Sequence, residues 1–231
     1  MPVTTIGFDA DDTLWHNETL FRLTQDRFCA LLADTADAEV TMARLAEVES
    51  RNLRLYGYGV KGFTLSMLET AMEMTGGEPP GHVIREILAA GREMLAHPVE
   101  PLSGVDAALH DLSEGYRLVL ITKGDLLHQE QKLAASGLGD LFAAVEIVSE
   151  KDASTYERVF ARHGTGAAEA VMVGNSMRSD ILPALRAGAF AAYVPYPLVW
   201  THEVAEAPAG EPRFAELSTI ADLPGWVRSV G

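Results

Sequence analysis

The stretch IGFDADDTLWHNE, residues 6–18, sets three carboxylates directly behind a short apolar run. Asp9, Asp11 and Asp12 occupy three of four consecutive positions there. Like charges a few ångströms apart raise one another's pKa and lower the stability of a fold unless a cation or hydrogen-bond donors compensate them. The stretch therefore predicts a buried strand that ends on a group of carboxylates, with a positively charged partner nearby.

The composition is typical of a folded protein with a hydrophobic core. The chain has 231 residues, 48% of them hydrophobic and 22% charged, and this length favours one domain with a smaller domain attached. The net charge of -15 counts against nucleic acid as a partner, because binding to its phosphates depends on Lys and Arg. No signal peptide and no apolar segment of about 18 residues is recognisable, so we expect no membrane partner and a cytoplasmic location. The oligomeric state stays open.

Five short apolar runs predict the strands of a parallel sheet. Continuous apolar runs of four to six residues are typical of strands that are buried on both faces. Helical segments separate the later runs, and this alternation predicts an α/β fold with a doubly wound, Rossmann-like parallel sheet. The runs cover residues 4–8, 117–121, 144–148, 170–173 and 191–194.

One long interval lacks this alternation. Residues 16–98 contain four amphipathic stretches that predict helices, and no run there predicts a strand. Turns rich in glycine and proline separate the stretches, and Pro98 marks the return to the sheet. The sequence therefore predicts a core domain of residues 1–15 and 99–231, with an all-helical domain of residues 16–98 inserted after the first strand.

Polar side chains follow four of the predicted strands. In open α/β sheets ligands bind at the carboxyl ends of the strands, so we expect these side chains to gather at one edge of the sheet. Carboxylates beside a hydroxyl group and a lysine suit a hard cation next to an anion, most simply Mg²⁺ next to a phosphoryl group. The residues are Asp9, Asp11, Thr122, Lys151, Asn175 and Asp180.

These residues resemble the four ordered motifs of the haloacid dehalogenase-like (HAD) superfamily. The motifs are DADDT at 9–13, LVLIT at 118–122, Lys151 and GNSMRSD at 174–180, and the helical insert is similar to the C1 cap of that superfamily. Members that act on phosphate esters carry a second aspartate in the first motif, where the dehalogenases have tyrosine. Asp11 therefore implies a phosphatase.

The fourth motif departs from the commoner GDxxxD form of the superfamily. Asn175 stands where that form has an acid, so the resemblance implies that Asp180 is the direct metal ligand. The role of Asn175 stays open between a neutral oxygen donor to the metal and a residue that holds a water molecule.

The same residues suggest a mechanism. Asp9, fixed at the end of a strand, would accept the phosphoryl group, and Asp11 would protonate the leaving oxygen and later deprotonate the attacking water. Mg²⁺ would be bound by Asp9, by the backbone carbonyl of Asp11 and by Asp180. The other groups expected to contact the phosphate oxygens are Lys151, the hydroxyl of Thr122 and backbone N–H groups near Lys123.

Substrate choice is predicted to depend on the helical insert. Its loop of residues 56–61 carries aromatic rings, glycines and a cation, and we expect Tyr58 and Lys61 to contact the substrate. A closed cap would exclude water from the aspartyl phosphate and would favour small substrates. The predicted substrate is a small phosphorylated metabolite, whose identity these residues do not encode.

Other functions are compatible with parts of the pattern. A haloacid dehalogenase-type carbon–halogen hydrolase would need no metal, and Asp11 counts against it. A non-enzymatic phospho-receiver-like protein also has an acidic pair, a threonine and a lysine, but receivers are much shorter and carry the phosphorylated aspartate at the strand end where this chain has Thr122. A scaffold protein with a degenerate site would more readily have lost one of the polar residues.

Several of the single residues have structural alternatives. Asp12 and Thr13 would suit the N-terminus of a helix, and Thr122 could simply end a strand. Lys123 competes with Lys151 for the same role. Asp180 could cap a helix that begins near Ile181.

Overall fold

The computed structural model describes residues 2–200 and 203–231. Within them the chain forms two compact units, and each unit contains more than one segment of the sequence. The larger unit contains the residues up to Glu18, Val99–Lys123 and Gln129–Gly231, and the smaller unit contains Thr19–Pro98 and Gly124–His128.

The larger unit is built on a six-stranded parallel sheet, which confirms the predicted doubly wound fold. The strand order is β3-β2-β1-β4-β5-β6, so the order along the chain reverses between β1 and β4. Such a reversal opens a crevice at the carboxyl ends of the two central strands. The strands are β1 (Thr5–Phe8), β2 (Arg117–Lys123), β3 (Ala144–Val148), β4 (Ala170–Gly174), β5 (Phe190–Tyr193) and β6 (Phe214–Glu216).

Helices cover both faces of the sheet, because alternate residues of the central strands are apolar on either side. Ile6 and Phe8 of β1 pack with one set of helices, and Val119 and Ile121 of β2 pack with the other. The first set is α5 (Val105–Ser113), α6 (Leu126–Ser136) and α9 (Leu223–Val230), and the second set is α7 (Ala153–His163) and α8 (Leu182–Arg186).

The end of β4 leads into a feature that the sequence did not predict. A single turn of π-helix, Met177–Ile181, precedes α8 (Leu182–Arg186). The turn is entered through Ser176, whose side chain accepts a hydrogen bond from the backbone N–H of Ser179 at 2.9 Å. Turns of this kind are frequent at functional sites because they re-aim the side chains that they carry.

The smaller unit contains four amphipathic helices around a core of its own. On α4 the buried residues include Val83, Ile87 and Met94, whose spacing places them on one face of the helix. Phe28, Phe63 and Met67 pack in the same core. The helices are α1 (Glu18–Leu31), α2 (Ala38–Tyr56), α3 (Val60–Met74) and α4 (Gly81–Leu95).

No helix in the described part of the chain is long and apolar enough to cross a membrane.

Gly7 lies at the centre of the sheet, where the layer formed by α7 presses closely on β1. A Cβ atom at this position would lie 2.8 Å from Cδ1 of Ile121 and 3.1 Å from the ring of Phe160. The backbone of Gly7 does not have a positive φ, so the requirement for glycine comes from this close approach alone.

We predict that Gly7→Ala destabilises the protein by about 1–3 kcal/mol, because the added methyl group overpacks the layer between β1 and α7. Urea unfolding followed by circular dichroism measures the loss. Gly115→Ala is the matched control: a Cβ there meets nothing within 4 Å, and we expect a change below about 0.5 kcal/mol. Equal stability of Gly7→Ala and the wild type would contradict the packing argument.

Candidate active site

Asp9 follows β1 directly, at the point where the strand order reverses. Its backbone N–H continues the ladder by donating to the carbonyl of Val173 at 2.9 Å. The residue is 8% exposed. Asp9 is thus held by the central strand pair of the sheet, and its carboxylate stands at the edge where the sequence predicted a site.

Lys151 bridges two buried carboxylates. Its ammonium group donates to Oδ1 of Asp9 and, at 2.7 Å, to Oδ1 of Asp180, and its side chain is only 2% exposed. The residue reaches this place from the segment between β3 and α7. The three residues were predicted to gather at one edge of the sheet, and they are in direct contact.

Burial and the neighbouring charges shift the pKa values of these groups in opposite directions. Burial raises the pKa of Asp9 to about 7, since the favourable charge of Lys151 is partly cancelled by the neighbouring charge of Asp180. Burial alone would lower the pKa of Lys151, but the two carboxylates outweigh it and hold that pKa above its usual value. One ammonium group is therefore paired with two carboxylates. When both carboxylates are charged, one negative charge has no positive partner.

Asp180 owes its position to the π-helical turn. Its Oδ2 accepts the backbone N–H of Ser176 at 3.0 Å, across the turn. A Cβ atom at Gly174 would overlap the Asp180 carboxylate, so only glycine fits at the end of β4. The alternative that Asp180 caps a helix beginning near Ile181 is wrong, because the capping side chain is that of Ser176.

Asp11 has three hydrogen-bond donors around its carboxylate. Lys132 donates at 2.5 Å, Nε1 of Trp15 at 2.8 Å and Nε2 of Gln129 at 3.1 Å. Burial would raise the pKa of Asp11, but Lys132 and the other donors outweigh it and lower that pKa. The three donors therefore favour the charged form of this carboxylate.

The third carboxylate of the opening stretch has a structural role. Asp12 has a φ of 61°, a conformation that aspartate and asparagine tolerate better than most residues. Its carboxylate accepts the backbone N–H groups of Asn17 at 2.9 Å and of Glu18 at 3.0 Å, where α1 begins. Burial nevertheless raises its pKa to about 7. The helix-capping alternative thus describes Asp12 correctly.

Neutral oxygen atoms converge beside Asp9. The side-chain amide of Asn175 presents one terminal atom 3.3 Å from Oδ2 of Asp9, 3.2 Å from the backbone carbonyl oxygen of Asp11 and 3.1 Å from the hydroxyl of Thr13. With nitrogen at that position the amide donates to these acceptors. With oxygen there, the atom accepts a hydrogen bond from the Thr13 hydroxyl but faces the oxygens of Asp9 and Asp11, and a cation between these oxygens would compensate them.

This geometry fits a small divalent cation. Neighbouring ligands of an octahedral Mg²⁺ ion lie about 3 Å apart, because each metal–oxygen distance is about 2.0–2.1 Å. The terminal amide atom of Asn175 has about that spacing from Oδ2 of Asp9 and from the carbonyl oxygen of Asp11. Within the described residues no three His, Cys, Asp or Glu side chains group as a metal site, so any such ion depends on backbone and amide oxygens as well as carboxylates.

Thr122 and Lys123 end β2 at the same edge but have different partners. Nε2 of Gln129 donates to the Thr122 hydroxyl at 2.7 Å. Lys123 donates to the hydroxyl of Ser179 at 2.9 Å and to Oε1 of Glu203 at 2.8 Å. Of the two competing lysines, Lys151 contacts Asp9, whereas Lys123 pairs with Glu203, which the sequence did not single out.

Tyr58 and Lys61 lie in the smaller unit, before and within the first turn of α3. Lys61 forms an ion pair with Asp125 of the same unit, at 2.9 Å to both carboxylate oxygens. The pKa of Asp125 is lowered, mainly because Lys61 donates a hydrogen bond to its carboxylate. Contact of either residue with a substrate stays a prediction.

Two of the residues around Asp11 were missed, although the sequence contained a signal. Gln129 and Lys132 are three positions apart on α6, so they lie on one face of that helix. Both residues are buried, at 3% and 9% exposure. Long polar side chains at helical spacing on the buried face of a predicted helix mark it as facing a polar site.

Comparisons with known proteins agree with this arrangement. Residues 3–188 match the family model described as haloacid dehalogenase-like hydrolase. A glyceraldehyde 3-phosphate phosphatase from Methanothermobacter thermautotrophicus is 28% identical over 203 residues, which are 82% of this chain and 84% of that protein.

Solved structures share the fold. A haloacid dehalogenase-like hydrolase from Xanthomonas campestris is 43% identical, with a TM-score of 0.88 over 99% of this chain and 91% of that one. An L-2-haloacid dehalogenase from Xanthobacter autotrophicus is 18% identical, with a TM-score of 0.67 over 99% of this chain and all of that one, a likeness of fold alone.

We predict that Lys151→Met lowers the free energy of unfolding by about 3–5 kcal/mol in excess chelator, because it leaves two buried carboxylates without their cation. Urea unfolding measures the loss. The double variant Lys151→Met with Asp9→Asn carries one carboxylate fewer, so it should recover part of the stability. Wild-type stability of Lys151→Met would show that the bridge does not compensate the two charges.

Proposed function

The chain belongs to the haloacid dehalogenase-like hydrolase family, and from this premise we propose that it hydrolyses phosphate monoesters of small metabolites with Mg²⁺. The observation that carries the proposal is the second carboxylate: Asp11 stands two residues after Asp9, and three donors hold it. Proton transfer to and from the oxygens of a phosphate ester needs such a group. The relative named as a phosphatase, aligned over most of both chains, supports the same class of reaction.

Asp9 acts as the nucleophile in this proposal. One of its carboxylate oxygens attacks phosphorus, the ester P–O bond breaks, and the alcohol leaves with the electron pair of that bond. Water then attacks the phosphorus of the aspartyl phosphate, which releases inorganic phosphate and restores the carboxylate. The rigid position of Asp9 at the end of β1 supports in-line attack, since small errors of placement cost rate steeply.

Asp11 exchanges the protons in both steps. It donates a proton to the leaving oxygen and takes one from the attacking water. The donors around it favour its charged form, but a phosphate dianion a few ångströms away raises the pKa of a carboxylate. Substrate binding therefore promotes the protonated form that the first step requires.

These residues offer carboxylate, carbonyl and amide oxygens, the ligand types that Mg²⁺ prefers. Asp9, the carbonyl of Asp11 and Asp180 would hold it, with the amide oxygen of Asn175 as a neutral donor. When bound, the ion would neutralise charge on the phosphoryl group during transfer. This proposal assigns Asn175 to direct coordination, one of the two roles that the sequence left open.

Lys151 and Thr122 are the proposed phosphate contacts. An ammonium group has three N–H donors, and the two carboxylate partners of Lys151 engage two of them. The third is available to a phosphate oxygen. The Thr122 hydroxyl donates to the carbonyl of Lys123 at 3.2 Å, a long bond that a charged phosphate oxygen can replace.

We propose that the helical domain, predicted as residues 16–98, selects the substrate as a cap. Its own core and its four helices support an independent domain. Tyr58 and Lys61 remain the proposed contacts to the non-phosphate part of the substrate. The ion pair with Asp125 would hold the Lys61 ammonium in one place for that contact.

The main test is hydrolysis of p-nitrophenyl phosphate with and without Mg²⁺. We expect turnover in Mg²⁺, loss of turnover in excess chelator, and no turnover by Asp9→Asn, which keeps the shape of the residue but removes the nucleophilic charge. Thermal unfolding of Asp9→Asn checks that it is folded. Full activity in chelator, together with chloride release from 2-chloropropionate, would instead identify a dehalogenase.

The cap proposal has a separate test. We expect small phosphate esters to be hydrolysed at least roughly 100-fold more efficiently than a phosphoprotein, because a closed site excludes polymers. Tyr58→Phe and Lys61→Met should change KM and the order of preferred esters while leaving the Mg²⁺ dependence unaltered. Equal kcat/KM for small esters and the phosphoprotein would show that the helical domain does not restrict access.

A further inference from the structure

Helix α6 presents two long polar side chains to the loop that follows β1. We propose that Lys132 is a positioning residue, whose ammonium group holds the Asp11 carboxylate in the place from which Asp11 exchanges protons with the leaving group. This inference deepens the proposed phosphatase function and rests on it. Part of the control of proton transfer then comes from a helix face that lies outside the four motifs.

The location of Asp11 beside the phosphate contact supports this role. A single amide nitrogen of Gln129 bonds both Oδ2 of Asp11 and the hydroxyl of Thr122, at 3.1 and 2.7 Å. The Asp11 carboxylate therefore lies alongside the residue proposed to bind the phosphate. A carboxylate in that position is close to the ester oxygen that must receive a proton.

Lys132 is the strongest of the three groups that hold Asp11. Its contact is 2.5 Å and joins opposite charges, and such charge-assisted bonds are roughly twice as strong as neutral ones. The amide of Gln129 has two hydrogens for three acceptors, namely Asp11, Thr122 and the carbonyl of Lys123, and Asp11 is the most distant of them. The indole of Trp15 supplies one neutral bond.

The Lys132 side chain is itself held in place. It is 11% exposed, and the next residue, Leu133, packs in the core between α6 and the sheet. A buried lysine loses rotamer freedom and hydration, both of which oppose folding. The ion pair with Asp11 offsets these costs, so the two side chains fix one another.

Positioning and simple stabilisation predict different kinetics. p-Nitrophenolate is a much weaker base than phenolate, so it leaves phosphorus with little help from an acid. Phenolate needs the proton that Asp11 supplies, and general acid catalysis is worth about 10²–10⁴ in rate. A displaced Asp11 should therefore lower kcat/KM far more for phenyl phosphate than for p-nitrophenyl phosphate, whereas a partly unfolded protein would lose both activities equally.

The experiment compares kcat and KM of the full chain on these two esters in saturating Mg²⁺. For Lys132→Met we expect kcat/KM, which reports only the steps up to departure of the alcohol, to fall roughly 10- to 100-fold for phenyl phosphate and at most about threefold for p-nitrophenyl phosphate. Lys132→Arg keeps the cation and should recover part of the loss. Gln131→Met, on the exposed side of the same helix, is the matched control and should behave as the wild type.

Each outcome decides the matter. Equal losses on both esters, or none, would overturn the positioning role of Lys132. Should Lys132→Met fail to fold, Lys132→Gln keeps a neutral donor of similar length, and the same selective loss is expected. A wild-type protein that hydrolyses neither ester in Mg²⁺ would overturn the proposed function itself, and the inference with it.

Discussion

Two buried carboxylates share one buried ammonium group, and the candidate active site depends on this constraint. Lys151, Asp9 and Asp180 come from three different connections, after β3, β1 and β4. Buried charges destabilise a fold unless they are paired. The three connections therefore have to end at the same place, and the order of the parallel strands is what allows them to do so.

The three carboxylates near the start of the sequence are each compensated in a different way. Asp9 is compensated by Lys151, Asp11 by Lys132 and two neutral donors, and Asp12 by backbone N–H groups where α1 begins. Each solution leaves the carboxylate with different chemistry. Burial raises the pKa of Asp9, which faces the convergent oxygens, and of Asp12, which caps a helix, whereas the donors around Asp11 lower its pKa and orient it.

Most of the fold was predictable because strands buried on both faces leave long apolar runs in the sequence. The last strand, Phe214–Glu216, was missed because three residues that end in a glutamate at the sheet edge carry no such pattern. The motif residues were predictable from their places after strands. Lys132 was missed although its spacing from Gln129 on α6 was a usable signal, whereas Glu203 was not predictable, because it lies in the long connection after β5, where no periodicity places a side chain.

The division of the chain into units has a consequence for anyone who wishes to exchange one of them between relatives. The smaller unit takes Gly124–His128 in addition to Thr19–Pro98, so the chain passes between the two units four times. A graft of the long segment alone would leave Asp125 behind and separate it from Lys61. Chimeras should therefore exchange both segments together, with junctions at all four crossings, if the ion pair is to be inherited intact.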